Sequence, residues 1–153
     1  MRHLFTIPLA IALALPASAQ TPTKEDAKAF VQAAAASLQK NGREKFLMEV
    51  SSPKGAFHFA EQQNKGLYIF VYDEKGTVLA HGARVELVGQ HRWEAKDPDG
   101  KPWIQDWTKL VQEKGSGYIA YKEFNPAAGN KIMNKVSFVA LKEGMVIGCG
   151  VYQ

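Results

Sequence analysis

The side chains of this chain that could perform chemistry are few and widely spaced. The segment LYIFVYDEKGTVLAHG, residues 67–82, is a strand-like run that ends on His81 and Gly82. His81 and His91 are ten residues apart, and no acidic residue stands near them at metal-ligand spacing. Cys149 is the only cysteine, which excludes a haem attachment motif and a multi-cysteine zinc or iron–sulfur site. The sequence therefore predicts neither a metal nor a cofactor.

No catalytic constellation accompanies these residues. The sequence lacks the G-x-S-x-G, P-loop and G-x-G-x-x-G motifs, and Ser51 and Ser52 stand where a helix is predicted to stop. Asp97 and Asp99 flank a proline–glycine turn, where aspartates stabilise the turn itself. Cys149 alternates with glycines in an apolar strand, which favours a small core hydrophobe over a reactive thiol. We therefore expect that the protein is not an enzyme.

The N-terminus has the pattern of a secretory signal peptide. MRHLFTIPLAIALALPASAQ joins a basic start to a short apolar stretch, which Pro16 and an A-x-A sequence follow. We expect cleavage after Ala19, so that residues 1–19 are removed and residues 20–153 form a single domain in the bacterial periplasm. These residues contain no second apolar stretch long enough to cross a bilayer, so we expect no membrane anchor after cleavage.

The composition is that of one globular domain, with 46% hydrophobic and 22% charged residues. The formal net charge of +4 is mixed along the chain, without the concentrated basic patch of a nucleic-acid-binding protein. A single cysteine allows no intramolecular disulfide, so the stability of the fold must come from its hydrophobic core.

Helical periodicity occupies two parts of the chain. Thr23 and Asp26 form a capping-box pattern, and apolar residues follow at helical spacing until Gly42. A shorter helix comes directly afterwards. A third helix is predicted from Pro102, which a first helical turn tolerates, to Gly115.

Strand-like segments fill most of the rest. Residues 67–72 and 77–80 surround a DEKG turn and predict a β-hairpin. Residues 117–124, 131–141 and 145–152 are joined by short turns and predict an antiparallel meander. The predicted fold class is α+β, with a long N-terminal helix and a central antiparallel sheet of about five strands on which helices pack.

Between Thr23 and Tyr152 the chain resembles the type 2 single Cache domains, which are PAS-like extracytoplasmic sensor domains of bacteria. The segments that carry this resemblance are LYIFVYDEKGTVLAHG, VELVGQHRWEAKDPDGKPWI, GYIAYKEFNPAAGNKIMNKVSFV and MVIGCGVY. The resemblance implies a ligand pocket on one side of the sheet and binding of small organic molecules, often short carboxylates. Most such domains sit on chemoreceptors or histidine kinases, whereas this chain resembles the stand-alone, secreted kind without an output module.

The same resemblance implies the candidate ligand-binding residues. Lys135 matches the pocket lysine and would bind a ligand carboxylate, although its pattern alone indicates an edge-strand lysine directed at water. Tyr121 matches a pocket-facing tyrosine, although a tyrosine that fills the core between sheet and helix is the alternative. Tyr118, of opposite parity, must then face the other way unless a bulge intervenes. His81 would lie at the pocket rim, whereas a histidine at a strand end is otherwise a satisfied or solvated residue. Trp103 begins a helix after a loop that could cover the pocket, although core packing also explains it. The complete set is Lys135, Tyr121, Glu123, His81, Tyr68 and Trp103.

Two positions depart from the family pattern. Glu123 stands where a tryptophan is expected, and Phe138 stands where a tyrosine is expected. If both positions face the pocket, a simple carboxylate fits less well and a cationic or amide-bearing ligand fits better.

Two hypotheses for function result. The first is a periplasmic domain that binds a short organic acid or a similar polar metabolite and signals through a membrane receptor or histidine kinase. The second is an interaction protein with a degenerate pocket, which docks on a membrane receptor or envelope complex. Either would be a monomer or a homodimer formed through the N-terminal helix.

Overall fold

The computed structural model describes residues 21–59 and 65–153. The predicted signal peptide, residues 1–19, lies outside the described residues. Within them, three α-helices and five β-strands form the domain. The helices are α1 (Lys24–Asn41), α2 (Arg43–Ser51) and α3 (Trp103–Lys114). The strands are β1 (Phe70–Asp73), β2 (Val78–His81), β3 (Ser116–Asn125), β4 (Lys131–Lys142) and β5 (Met145–Tyr152).

α1 begins and ends where the sequence predicts. The Asp26 N–H donates to Thr23 Oγ1 at 3.1 Å and the Thr23 N–H donates to Asp26 Oδ2 at 2.8 Å, which completes the capping box. The helix stops at Gly42, whose φ of 80° costs glycine little. One stripe of the helix is buried against the sheet, and it consists of Ala27, Val31, Ala34 and Leu38. α1 therefore covers one face of the sheet.

The five strands form one antiparallel sheet in the order β2-β1-β5-β4-β3. The predicted hairpin is β1–β2, and the predicted meander is β3–β4–β5. The C-terminal strand β5 pairs with both β1 and β4, so it joins the hairpin to the meander. The predicted α+β class and the strand number are confirmed.

The first strand starts later than the sequence predicts. Residues 67–69 lie before the strand, and the backbone of Ile69 bonds to residues outside the strands. The Ile69 N–H donates to the Phe57 carbonyl at 3.0 Å, and the Gly82 N–H donates to the Ile69 carbonyl at 2.8 Å. The apolar composition of residues 67–69 predicted a strand. The Ile69 N–H bonds instead to Phe57, in a turn that is distant along the sequence.

The sheet separates two apolar clusters. In β5, alternate residues Met145, Ile147, Cys149 and Val151 face the α1 side. Cys149 is fully buried there, and burial raises the pKa of its thiol to about 12. This agrees with the prediction of a core residue, since the reactive form of cysteine is the thiolate.

The cluster on the other face lies between α3 and the sheet, and the loop 83–101 lies beside it. It includes Trp103, Ile104, Trp107 and Val111 from α3. The loop is fixed by Asp97, whose Oδ1 accepts from the N–H groups of Asp99 and Lys101 at 2.9 Å each. Its Oδ2 accepts from the Lys122 N–H in β3 at 3.0 Å, so the predicted turn role of this aspartate is confirmed.

None of the helices in the described ranges combines the length and apolarity that a membrane span requires.

Candidate ligand-binding site

Lys135 lies on β4, on the face covered by α3. It stands directly opposite Tyr121 of β3 and Tyr152 of β5, and it is only 2% exposed. β4 is flanked on both sides, so the pattern-based interpretation of an edge-strand lysine in water is wrong. Its Nζ donates to the Tyr68 hydroxyl at 2.8 Å. Four aromatic rings lie within 6.0 Å of Nζ, and they are Tyr68 at 4.6 Å, Tyr152 at 5.0 Å, Phe70 at 5.3 Å and Tyr121 at 6.0 Å.

Glycines of β5 provide the space for this arrangement. A Cβ on Gly150 would stand 2.7 Å from Lys135 Cε and 2.2 Å from Ser137 Oγ. A Cβ on Gly148 would stand 2.2 Å from the ring of Phe70. The absence of these two side chains allows the lysine and the ring to lie flat across the sheet.

Hydroxyl groups connect the aromatic residues around the lysine. The hydroxyls of Tyr68 and Tyr152 are 2.9 Å apart, and the Tyr152 hydroxyl donates to the Phe124 carbonyl at 2.5 Å. The Tyr121 hydroxyl is 2.9 Å from Ser137 Oγ. Burial raises the pKa of all three tyrosines, so they are neutral donors and acceptors at physiological pH.

The charge of Lys135 survives in this environment. Burial opposes the ammonium form of Lys135, but the charged Glu123 carboxylate favours it, and the pKa of Lys135 lies above its ordinary value. Ring faces attract a cation, and the Tyr68 oxygen accepts one of its protons. The site therefore contains a buried, fixed positive charge.

His81 lies beside this charge, at the end of β2. Its ring centroid is 5.3 Å from that of Tyr68 and 6.4 Å from that of Phe70. Nδ1 accepts from the N–H groups of Ala83 and Arg84 at 3.2 and 2.9 Å, so it carries no proton. Burial, and then the neighbouring Lys135, Arg84 and Arg92, hold the pKa of His81 well below its usual value. The imidazole is therefore neutral. Its Nδ1 atom fixes the backbone after β2 by accepting the hydrogen bonds of Ala83 and Arg84.

Trp103 forms a wall of the site through Tyr121. Their rings are nearly parallel, at 6°, with centroids 5.7 Å apart. The Arg92 guanidinium lies 5.6 Å from the indole centroid. Trp103 is therefore packed in the core, as one of the two interpretations predicted, with Tyr121 between it and Lys135. That the preceding loop covers the pocket stays a prediction.

Glu123 lies at the edge of the same face, with 15% of its side chain exposed. Its Oε1 accepts from the Phe124 N–H at 2.9 Å and stands 3.9 Å from Arg84 Nη1. With Arg92 and Trp103 it borders a small cleft of about 280 Å³. Lys135, Tyr121, Tyr68 and His81 thus form the centre of the site, and Glu123 and Trp103 border it.

Phe138 does not belong to this site. It packs in the α1 cluster, where its ring contacts Tyr118 at a centroid distance of 5.1 Å, on the opposite face from Lys135. The condition on which a lost hydroxyl here would change the pocket, namely that residue 138 faces the pocket, is therefore not met. The parity rule that assigned Tyr118 and Tyr121 to opposite faces also separates residues 135 and 138, so the sequence held the signal.

Sequence reasoning missed several residues of the site, namely Phe70, Ser137, Gly150, Tyr152, Arg84 and Arg92. Ser137 shares the parity of Lys135, and Gly150 is one of the glycines that alternate with Cys149. The two arginines lie in loops, where periodicity does not predict the direction of a side chain.

In the described part of the chain, Trp107 Nε1 is the one buried side-chain nitrogen or oxygen without a hydrogen-bond partner. The Trp107 ring packs on Phe70 and Tyr121. In the described ranges, no group of three or more His, Cys, Asp and Glu side chains could hold a metal ion.

Similar folds occur among bacterial sensor proteins. One structure, described as "Structural basis for carboxylic acid recognition by a Cache chemosensory domain", is 25% identical with a TM-score of 0.68; the match covers 84% of this chain and 92% of that one. A methyl-accepting chemotaxis protein from Vibrio parahaemolyticus RIMD 2210633 is 19% identical with a TM-score of 0.70, over 84% of this chain and 87% of that one. A "periplasmic sensor domain of chemotaxis protein" is 24% identical with a TM-score of 0.60, over 84% and 88%. The sequence itself matches the Single Cache domain 2 family over residues 16–153. The chain therefore belongs to the single Cache domain family of type 2.

Proposed function

We propose that this protein is a periplasmic ligand-sensing domain that binds a small organic molecule through a carboxylate, with Lys135 as the counter-ion. The buried ammonium of Lys135 is the observation that supports this proposal. Among the described residues, no carboxylate oxygen lies within 4.0 Å of its Nζ. A buried charge without a counter-ion is costly, so an anionic group that reaches Nζ gains a strong interaction.

The surrounding groups suit a carboxylate as well. The neutral Tyr121 hydroxyl is able to donate to a ligand oxygen while it accepts from Ser137 Oγ, whereas the one proton of Tyr68 is donated to the Tyr152 hydroxyl. The Trp107 N–H is a further donor in the same aromatic cluster, without an acceptor among the described residues. The 25% identical Cache domain is described by its carboxylic acid recognition, which gives independent support for this ligand class.

The periplasmic location rests on the leader pattern of residues 1–19 and on the similarity to a periplasmic sensor domain. We propose that the bound state is communicated to a membrane receptor or histidine kinase. A catalytic role is not proposed, because family membership favours sensing.

A second function has one observation in its favour. The site is internally satisfied to a large extent, since Lys135 donates to Tyr68 and the tyrosine hydroxyls bond to one another and to the Phe124 carbonyl. A degenerate pocket on an interaction protein would have this property. In that case, affinity purification from periplasm would recover a stoichiometric partner, and Lys135→Met would leave that association intact.

The decisive experiment is a thermal-shift comparison of the wild type with Lys135→Met, over a panel of acetate, propionate, pyruvate and lactate. We expect at least one acid to raise the melting temperature of the wild type, because a ligand that binds the folded state stabilises it. Lys135→Met should abolish that increase. In this variant a well-packed apolar side chain replaces a buried charge. The free energy of unfolding of Lys135→Met should therefore be higher than that of the wild type or lie no more than about 1 kcal/mol below it.

The matched control is Lys131→Met, on the same strand but exposed. It should keep the ligand-induced shift of the wild type. If no acid stabilises the wild type, or if Lys135→Met responds as the wild type does, the proposed carboxylate site is wrong.

A further inference from the structure

A groove lies beside α1, on the face of the sheet opposite Lys135. α1 packs on β4 and β5, and β3 is the edge strand next to β4. Between the helix and the start of β3 there is an open groove of about 860 Å³. Phe138 and Ala140 of β4 line it, and α1 contributes the small side chains of Ala35 and Ala36. None of the six candidate ligand-binding residues lines this groove, so it is separate from the site described above.

The charges that line this groove are mostly positive. Lys28 of α1, Lys114 of α3 and Lys142 of β4 line it, and Glu143 is the acid among the lining residues. In the part of the chain that the structure describes, no carboxylate oxygen lies within 4.0 Å of any of these three ammonium nitrogens. Charges of one sign around a concave surface raise the local concentration of oppositely charged groups. The groove therefore favours a negatively charged occupant.

The lysines stand at separate positions along the groove. The ammonium of Lys28 lies 5.6 Å from the ring centroid of Phe138. Lys142 follows Phe138 on the same face of β4, about 14 Å further along the strand. On α1 the lining residues run from Lys28 to Gln39, which is about 16 Å of helix. About five residues of an extended chain have this length, whereas a single small anion reaches only one end of the groove.

We propose that this groove is a docking site for an extended, acidic segment of a partner protein. The inference goes beyond the proposed function and does not depend on it, because no residue of the Lys135 site lines the groove. Charge complementarity is the argument for this occupant. A second copy of the chain suits the groove less well, because a symmetric contact would bring the same three lysines of both copies into one interface.

Fluorescence anisotropy with labelled hexaglutamate at low ionic strength tests the inference, and labelled hexaglutamine is the uncharged control. We expect hexaglutamate to bind the wild type with an affinity that falls as salt is added, and hexaglutamine not to bind. The double variant Lys28→Gln/Lys142→Gln should weaken binding about fivefold or more, as the loss of two exposed ion pairs predicts. Ala36→Phe keeps every charge and should also weaken binding, because its ring fills part of the groove.

Lys45→Gln/Lys109→Gln is the matched control, because it removes the same charge at two exposed lysines outside the groove. It should bind hexaglutamate as the wild type does, and the melting temperatures of all variants verify that they are folded. An equal loss of affinity in this control would show general attraction to net charge and overturn the inference. Wild-type affinity in folded Ala36→Phe would also overturn it.

Three further outcomes would contradict the acidic partner. The first is that hexaglutamate does not bind the wild type. The second is that free glutamate competes with it equally at the same carboxylate concentration, which would indicate a site for a single small anion. The third is a wild-type dimer that Ala36→Phe converts into a monomer in sedimentation without any binding of hexaglutamate, which would make a second copy the occupant. Each of these leaves the thermal-shift test of Lys135 unaffected, so the two proposals fail separately.

Discussion

Lys135 and His81 are neighbours in one buried site, yet the site favours opposite protonation states for them. The ammonium of Lys135 faces aromatic rings and a tyrosine oxygen, which favour its charge. The Nδ1 atom of His81 accepts from two backbone N–H groups and lies near three cations, which disfavour its charge. The hydrogen-bond partners and nearby charges therefore fix the charge distribution before any ligand binds.

A pH-dependent stability follows from His81. Its folded pKa is well below the unfolded value of 6.5, so between these values the unfolded chain binds a proton that the folded protein does not. The free energy of unfolding should therefore fall as the pH drops through 6.5, by up to about 1.4 kcal/mol per pH unit. Urea unfolding from about pH 8 to about pH 5 measures the slope, which His81→Asn should reduce because it keeps an acceptor without the titration. An unchanged slope in this variant would contradict the assignment.

At the scale of the elements, strand β5 and the loop 83–101 position the site. β5 alternates apolar residues toward α1 with glycines toward α3, so one strand builds the core on one face and leaves room for Lys135 on the other. The loop is attached to β3 by Asp97, which keeps Trp103 and Arg92 beside Tyr121.

Gly150→Ala should destabilise the protein by about 2 kcal/mol. The added Cβ would overlap atoms of β4, including a backbone oxygen, and such overpacking forces the strand to shift. The new Cβ would stand 2.2 Å from Ser137 Oγ and 2.9 Å from the Val136 carbonyl oxygen. Denaturant unfolding measures the change. Gly117→Ala is the control in β3, where the nearest atom, Leu110 Cδ2 at 3.0 Å, belongs to a movable side chain, and it should cost less than about 1 kcal/mol. Equal costs would show that β5 tolerates a side chain on this face.

Asp97→Ala should cost about 2 kcal/mol or more, since it leaves three N–H groups of the loop and β3 without their acceptor. Burial raises the pKa of Asp97, but these three hydrogen bonds lower it, and the pKa lies below the ordinary value. The contribution of Asp97 is thus complete above its unfolded value of 3.8 and is lost as the pH falls through the lower folded value. Urea unfolding measures both effects. Asp99→Ala, at an exposed ion pair with Lys122, should change stability by only about 0.5 kcal/mol.

The whole molecule is organised as two clusters on one shared sheet. All three tryptophans lie on the α3 side, in or against that cluster, whereas α1 packs on the other face. β1, β4 and β5 contribute residues to both clusters, so neither cluster can lose its packing without exposing the other.

We therefore expect a single cooperative unfolding transition. Tryptophan fluorescence reports on the α3 side, and far-ultraviolet circular dichroism reports on all three helices, with α1 the longest. The two urea denaturation curves should coincide, as two-state unfolding requires. Separate midpoints would contradict the expectation that residues 20–153 form one domain.

The sequence by itself determined those features that depend on neighbours along the chain. The capping box of Thr23, the strand pairs around short turns, the opposite faces of Tyr118 and Tyr121, and the buried face of Cys149 are all consequences of local periodicity. Together they predict the fold class. The residues Lys135, Tyr121 and Tyr68 were selected through a family resemblance, which carries tertiary information that periodicity lacks.

Only the tertiary structure decided how the site is assembled. Insertion of β5 between β1 and β4 brings Phe70 and Tyr152 to Lys135, and it converts an apparent edge-strand lysine into a buried one. The loop arginines reach the site through the fold of a segment without regular periodicity. Pairing of strands distant in sequence is governed by the packing of both sheet faces at once, and no local pattern records which strands become neighbours.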